Sequence, residues 1–383
     1  MAGTTTGFAP ILAPEQVHDL VIRPLITESV AGQVLTSVMT DSHDYRIPVV
    51  ESDPSASWTA EGAEIVVTDA AVDEVIVTPS KLAGLTVITR ELANDSNPAA
   101  QDVVGRGIVR DLTRKVDQAL FANTTANGPS GLESLAPVNE VQTVTISGSP
   151  TGGTFTLAFR GATTGNIAYN AAAATVQTAL EGLSTIGAGN VAVSGSAGGP
   201  YTCTFVGALA GQPIAEMTAA HALTGGSTPS VGVAETTPGV WGYRVVDNGG
   251  AYADIDPFSD ALYEAALFNG VISNWVCHPN TAKKLAVLKE ESGSNKPLLG
   301  PDPTMPGRRQ ILGVPLLTSP YVTTVDDAVF GISRAYSHLV VREQAEVEAD
   351  KSVFFTSDRV AVRAIVRLGF GFPAPATIVK ITV

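Results

Sequence analysis

Five histidines, two cysteines and a scatter of carboxylates are the side chains of this 383-residue chain from which chemistry can be built. His18, His43, His221, His278 and His338 lack the spacing with which metal ligands share a helix face or a hairpin, so no metal site is expected. Cys203 and Cys277 are far apart, in regions of different composition, and read as two buried free thiols in a reducing compartment. GFGFP and GAGN read as turns, because no GK[ST] follows to make a phosphate loop. GGSTPS and TISGS lack the surroundings of a nucleophile elbow. Glu61 and Glu64 read as solvated or salt-bridged carboxylates. No catalytic or cofactor-binding residue is assigned, and an enzyme is not expected. One charged pattern remains: Arg106, Arg110 and Arg114 fall on one stripe of a helix. That stripe is either a solvated face with i, i+4 partners such as Asp102 to Arg106, or a surface for the carboxylates of a neighbour.

The elements that would position these residues come from a packed chain. Hydrophobic residues make up 44%, which suits a folded protein. Charged residues make up only 16%, against about a quarter in average proteins. Part of the surface is then hidden against partners, or the surface is rich in Gly, Ser and Thr. The net charge of −14 argues against a tight general grip on DNA phosphates but allows an acidic shell around nucleic acid. The N-terminus MAGTTTGFAP has neither the basic nor the apolar region of a signal peptide. No apolar run is long enough to span a membrane.

Along the chain, short helical pieces from Pro14 lead to an extended strand, YRIPVVES. The limbs near 45–51 and 72–90 are rich in Val, Ile and Thr and are expected to pair as one long hairpin with its tip around Ser57–Thr68. Asn97 as cap and Pro98 in the first turn start a helix of about 37 Å over 98–122. Val104, Ile108, Leu112, Val116 and Leu120 form its apolar stripe. From Val141 to Pro238 the texture changes to Gly, Ala, Thr and Ser, with one basic residue, Arg160, and neither Lys nor Asp. Alternating segments such as GTFTLAFRG and the helix AAAATVQTALEGLSTI make this block a small α+β domain. Beyond it come a helix capped by Asp256 with Pro257 first, the buried strand ISNWVCHP, the helix NTAKKLAVLKEES, a loop then strand in RRQILGVPLLTSP, and long closing strands. The block 141–238 therefore interrupts one protein, and its two ends are expected to leave close together.

The order of these parts resembles the major capsid proteins of tailed bacteriophages with the HK97 fold. The resemblance is carried by WTAEGAEI, VTPSKLAGLTVITREL, DQALFAN and NGPSGL, then by NWVCHPNTAKKLAVLKEESG, ILGVPLLTSP, AVFGISRAYSHLVVRE and VAVRAIVRLGFGFPAPATIVKI. It covers the whole chain except 141–238. It implies an α+β capsid fold: an N-terminal arm (1–44), an E-loop hairpin with its base strands (45–90), a spine helix opening the peripheral core (91–140), an inserted β-rich domain (141–238), and an axial domain with the remaining peripheral strands (239–383).

It further implies copies joined as hexamers and pentamers of an icosahedral shell around double-stranded DNA. A portal protein is an expected partner; a scaffold, protease or decoration protein is an optional one. Contact with the packaged DNA would be weak and without sequence preference, and no membrane is involved. The expected location is the virion, after assembly in the bacterial cytoplasm. In such a shell the hairpin lies over a neighbour, so Trp58, Glu61, Ile65, Val66 and Val67 become inter-subunit contacts. Obligate interfaces bury on the order of 2,000–5,000 Å², a gross gain of tens of kcal/mol at about 25 cal/mol per Å².

Some relatives join an E-loop lysine to an asparagine of a neighbour. Here no lysine lies between Tyr45 and Pro79, and Lys81 sits at the root of the return strand, so non-covalent interlocking is expected. The arm begins near Met1, so either a scaffold, where needed, is a separate protein, or this chain is already the mature form. The arginine stripe would face the lumen or a neighbour. The inserted block is expected to project from the surface. The alternative reading is an encapsulin-like nanocompartment shell. A secreted β-rich adhesin is a third, weakened by the absent signal peptide and the lone thiols.

Overall fold

The computed structural model describes residues 28–52, 69, 71–89, 99–291, 294–299, 309–350 and 359–383. The chain divides into two compact units, one of residues 1–134 with 244–383 and one of 135–243.

The first unit begins with a short helix, α1 (Val30–Val34), capped by Ser29, whose Oγ accepts a hydrogen bond from Gly32 N at 2.9 Å. Strand β1 (Thr36–Thr40) follows. Strands β2 (Tyr45–Ser52) and β3 (Ala71–Val77) form a two-stranded antiparallel ribbon, with Tyr45 opposite Val77 and Val50 opposite Val72. The pairing stops there, which corrects the single hairpin expected over 45–51 and 72–90. Pro79 has no N–H to continue the ladder, and β4 (Ser80–Thr89) changes partner to a strand from the end of the chain. The long helix is α2 (Ala99–Leu120); the expected start at Asn97 and Pro98 lies outside the described residues. Its buried side carries Val109, Leu112, Val116 and Leu120. It crosses β4 closely at Gly84, where a Cβ would stand 3.1 Å from Ile108 Cγ2.

The second unit is a self-contained α+β fold. Its strands are β5 (Val141–Ser147), β6 (Gly152–Phe159), β7 (Ala162–Thr163), β8 (Ile167–Ala168), β9 (Val191–Gly195), β10 (Tyr201–Phe205), β11 (Thr218–Thr224) and β12 (Ser230–Thr237), with helix α3 (Ala173–Glu181) between β8 and β9. One sheet runs β12-β5-β10-β9 and another β11-β6-β7, with β8 also on β6. Between them Phe155, Phe159, Tyr201 and Phe205 fill the core with Val176 and Leu180 of α3. The rings pair at 6.3 Å (Phe155–Tyr201) and 5.7 Å (Phe159–Phe205). Strands β11 and β12, TAAHALT and SVGVAETT, are absent from the sequence reading, since Ala, Gly and Ser give little strand signal. Val141 lies opposite Thr237, and Val138 bridges Val240, so the chain enters and leaves this unit side by side.

The first unit then resumes with β13 (Arg244–Asp247), α4 (Asp256–Leu267), β14 (Asn274–Cys277), α5 (Pro279–Ala286), β15 (Arg309–Ile311), β16 (Val314–Thr318), β17 (Val329–Ile332), β18 (His338–Asp350), β19 (Arg359–Gly371) and β20 (Val379–Thr382). A six-stranded sheet has the order β13-β20-β17-β14-β16-β15, and a four-stranded one β1-β18-β19-β4. Trp275 anchors the first, edge-on to Phe258 of α4 at 5.1 Å, with its Nε1 donating to Ile311 O at 3.2 Å.

Three local expectations are corrected here. Asp256 is the first residue of α4 and not its cap; its N–H is instead taken by Asp254 Oδ1 at 3.0 Å. The stretch 309–318 is a hairpin and not a loop then a strand, because Gly313 and Leu312 both take positive φ and turn β15 into β16. In GFGFP, Gly369 and Gly371 are not turn residues but belong to β19, directly beneath the ribbon. A Cβ at Gly369 would come within 2.8 Å of Val77, and one at Gly371 equally close to Ile47 and Val77.

Candidate assembly surface

The ribbon β2–β3 has two faces of different fate. On the inner face Ile47 and Val77 pack with Val340 of β18, helped by Tyr45 and Val75. The outer face carries Val50, Val72 and Ile76, which are 56%, 67% and 51% exposed. Pro48, Arg46 and Glu74 complete that face, with Arg46 Nη1 donating to Glu74 Oε1 at 2.6 Å. Strand alternation places these residues together. Among the described residues, the inner root of the ribbon is covered and its outer face is bare. At the root Asp44 Oδ1 accepts from Thr78 Oγ1 at 2.7 Å. This bond, with a second from His43, holds the Asp44 carboxyl below the usual range. The tip contacts expected from the sequence, Trp58, Glu61, Ile65, Val66 and Val67, lie outside the described residues.

The spine helix α2 ties the N-terminal segment to this unit. Asp117 points from its buried side and accepts from Ala31 N at 2.9 Å and Val30 N at 3.2 Å, the free donors at the start of α1. Burial pushes the Asp117 carboxyl up, against the pull of the two N–H groups. β1 then joins the four-stranded sheet in parallel to β18, Thr36 beside His338. Sequence reasoning passed over Asp117. Its signal was a lone carboxylate next to Val116 on an otherwise apolar stripe. Of the arginine stripe, Arg110 and Arg114 are exposed. Arg114 Nε donates to Tyr321 Oη at 3.2 Å. The structure brings these two to one exposed side of α2, and the Arg106 side chain lies outside the described residues.

Reactive groups are dispersed. Among the described residues no cluster of His, Cys, Asp and Glu is arranged to hold a metal. Cys203 and Cys277 are both free and buried, and burial pushes both thiols up to about 12. They are inert core residues at neutral pH. His278 caps α5, its Nδ1 accepting from Asn280 N at 3.1 Å.

With this geometry in view, comparison with known proteins is informative. The Phage capsid family model matches residues 10–164 and 219–383; the internal unmatched stretch falls inside the unit 135–243. Solved structures share the fold. The capsid of an empty GTA particle is 13% identical, covering 100% of this chain and 94% of that one, with a TM-score of 0.57. A structure from Microbacterium phage Oxtober96 is 12% identical over 100% and 95% of the two chains, at a TM-score of 0.54. The tail sheath protein of Mycobacterium phage Bxz1 is 40% identical over 99 residues, 26% of this chain but only 16% of that protein.

Proposed function

The chain belongs to the phage capsid family and is a structural protein of the virion shell, and on that premise we propose how its copies hold together. The bare outer face of the ribbon carries the reading: Val50, Val72 and Ile76 form a hydrophobic strip that a second copy covers, with Trp58, Glu61 and Ile65–Val67 continuing it. A closed ring or shell uses heterologous contacts, in which one patch of a subunit meets a different patch of the next. Hexamers and pentamers of this chain then interlock through the ribbon and the arm that Asp117 anchors, without covalent bonds. The ribbon segment 45–79 contains no lysine for an isopeptide link.

Assembly takes place in the host cytoplasm, with a portal protein and, where required, a scaffold, a protease or a decoration protein. Packaged DNA touches the shell weakly; Arg106, Arg110 and Arg114 are its candidate contact, or that of a neighbour's carboxylates. The unit 135–243 is an added surface module. A nanocompartment for protein cargo is not favoured, because the matched family is that of phage capsids.

The direct experiment is expression of this chain alone, followed by sedimentation and negative-stain microscopy. Hollow shells are expected. A folded protein that stays monomeric at high concentration, with Trp58 shielded from quenchers, would overturn the interlocking.

A further inference from the structure

The register of the sheet β1-β18-β19-β4 sets Arg342 opposite Arg367, and Arg367 opposite Lys81. Residues directly opposite share a face, so three cations stand in one row across three strands, about 10 Å from end to end. Like charges in such positions are destabilising when nothing neutralises them. No carboxylate is hydrogen-bonded or ion-paired to any of the three among the described residues, and Arg342 Nε is buried without a partner. The contrast lies four residues along β19, where the register puts Arg363 opposite Glu348.

The row faces away from α2, since it is Gly84, of opposite parity to Lys81, that meets Ile108. On the same face and strand as Lys81 follow Ala83, Leu85 and Val87, with Leu85 66% exposed. The neighbouring pair on the other side, Val340 and Gly369, lies under the ribbon root.

A strip that is basic at one end and apolar along an edge strand fits an extended segment that is acidic and apolar. It fits packaged DNA poorly, because phosphate-binding surfaces are broadly basic and this chain carries −14. The chain itself holds such a segment. Residues 47–80 include seven acids and no Lys, Arg or His, with Trp58 and Ile65–Val67 among them. A chain does not easily deliver this segment to its own row. Val77, at the ribbon root, is four residues from Lys81, whereas the pairing ends at Ser52 and Ala71, about 20 Å away along the ribbon.

We propose that Lys81, Arg367 and Arg342 form a seat for the carboxylates Glu61 and Glu64 of a second copy of this chain. The proposal rests on the interlocking reading above and adds to it a charged address for the ribbon tip.

The test is a charge-swap series in the full chain, scored for shells by sedimentation. The two charge-reversed variants, Lys81→Glu/Arg367→Glu and Glu61→Lys/Glu64→Lys, are each expected to yield about tenfold fewer shells or worse, since like charges then meet at the contact. Combining all four changes restores them, because each tip again meets a row of opposite sign. Lys81→Gln, which leaves the sheet core untouched, is expected to lower the shell yield at low salt and to make that yield less dependent on salt. Melting of the unassembled protein controls for folding.

Row variants that assemble like the parent overturn the proposal. So does a loss that the combined variant fails to repair although all variants melt like the parent. Shells that form normally but package less DNA assign the row to phosphate and overturn it too. Should the unaltered chain stay monomeric at high concentration with Trp58 shielded from quenchers, the interlocking reading itself falls, an outcome separate from any of these.

Discussion

The unit 135–243 and the ribbon β2–β3 solve the same problem in opposite ways. Both are rich in β-branched residues and poor in basic ones. The unit folds two sheets and a helix over its own aromatic core, so Phe155, Phe159, Tyr201 and Phe205 are all fully buried. The ribbon has only two strands, and two strands cannot make a core. It roots one face on Val340 and leaves Val50, Val72 and Ile76 in solvent. The difference separates a module that is complete within one chain from an element whose outer face, on the interlocking proposed above, is completed by another. Incompleteness is useful in a shell subunit, because the free energy of covering the bare face becomes available only on assembly.

Two deletions break this comparison most sharply. Replacing Val141–Thr237 by a short linker should leave shells intact, since Val141 and Thr237 are direct strand neighbours and the gap closes with little strain. Replacing residues 53–70 by a two-residue turn should abolish them while the unassembled protein remains folded. Microscopy and sedimentation read both. Misshapen shells after the first deletion would make the module structural, and normal shells after the second would end the view of the ribbon as an interlocking arm.

Point changes grade the same contrast. Phe155→Ala removes a fully buried ring from the module, at a cost of about 3–5 kcal/mol. In the intact chain that loss should lower only the melting transition of the module and leave the other unit's transition in place. Asp117→Ala removes the acceptor of two buried N–H groups, at a cost of about 2–4 kcal/mol. Its effect should fall on the other unit, seen as faster amide exchange at Val30 and Ala31 and as fewer shells. If Phe155→Ala and Asp117→Ala lowered a single shared transition equally, the two units would not be independent.

The capsid fold was legible in the order of parts, and the reasons lie in local signals. Helix α2 announced itself by Leu112, Val116 and Leu120 at four-residue spacing, and the module by alternation in GTFTLAFRG against a background nearly free of charge. What escaped depends on partners distant in sequence. The return limb reads as one strand, but Pro79 divides it, and β4 pairs with β19 from the far end of the chain. The glycines of GFG look like a turn until Val77 and Ile47 are placed above them. The cationic row cannot be seen at all without register, because Lys81, Arg342 and Arg367 come from three separate segments.

The smallest effect expected is one of pH, and it again separates the two regions. His338 opens β18 with Nδ1 buried and unpartnered, and burial holds its imidazole below the ordinary 6.5. The unfolded chain therefore takes up this proton before the folded chain does. Stability is complete above pH 6.5 and declines as pH falls from there through the lower folded value. The module has one histidine, His221, and it is exposed. Calorimetry of the unassembled chain should thus show the larger unit's transition falling by about 2 °C or less between pH 7 and 5.5, with that of the module nearly still. His338→Gln should flatten the slope, since the buried imidazole is gone. A slope unchanged in that variant would place the proton on another group of the larger unit, and a module transition that moved in step would dissolve the contrast between the two.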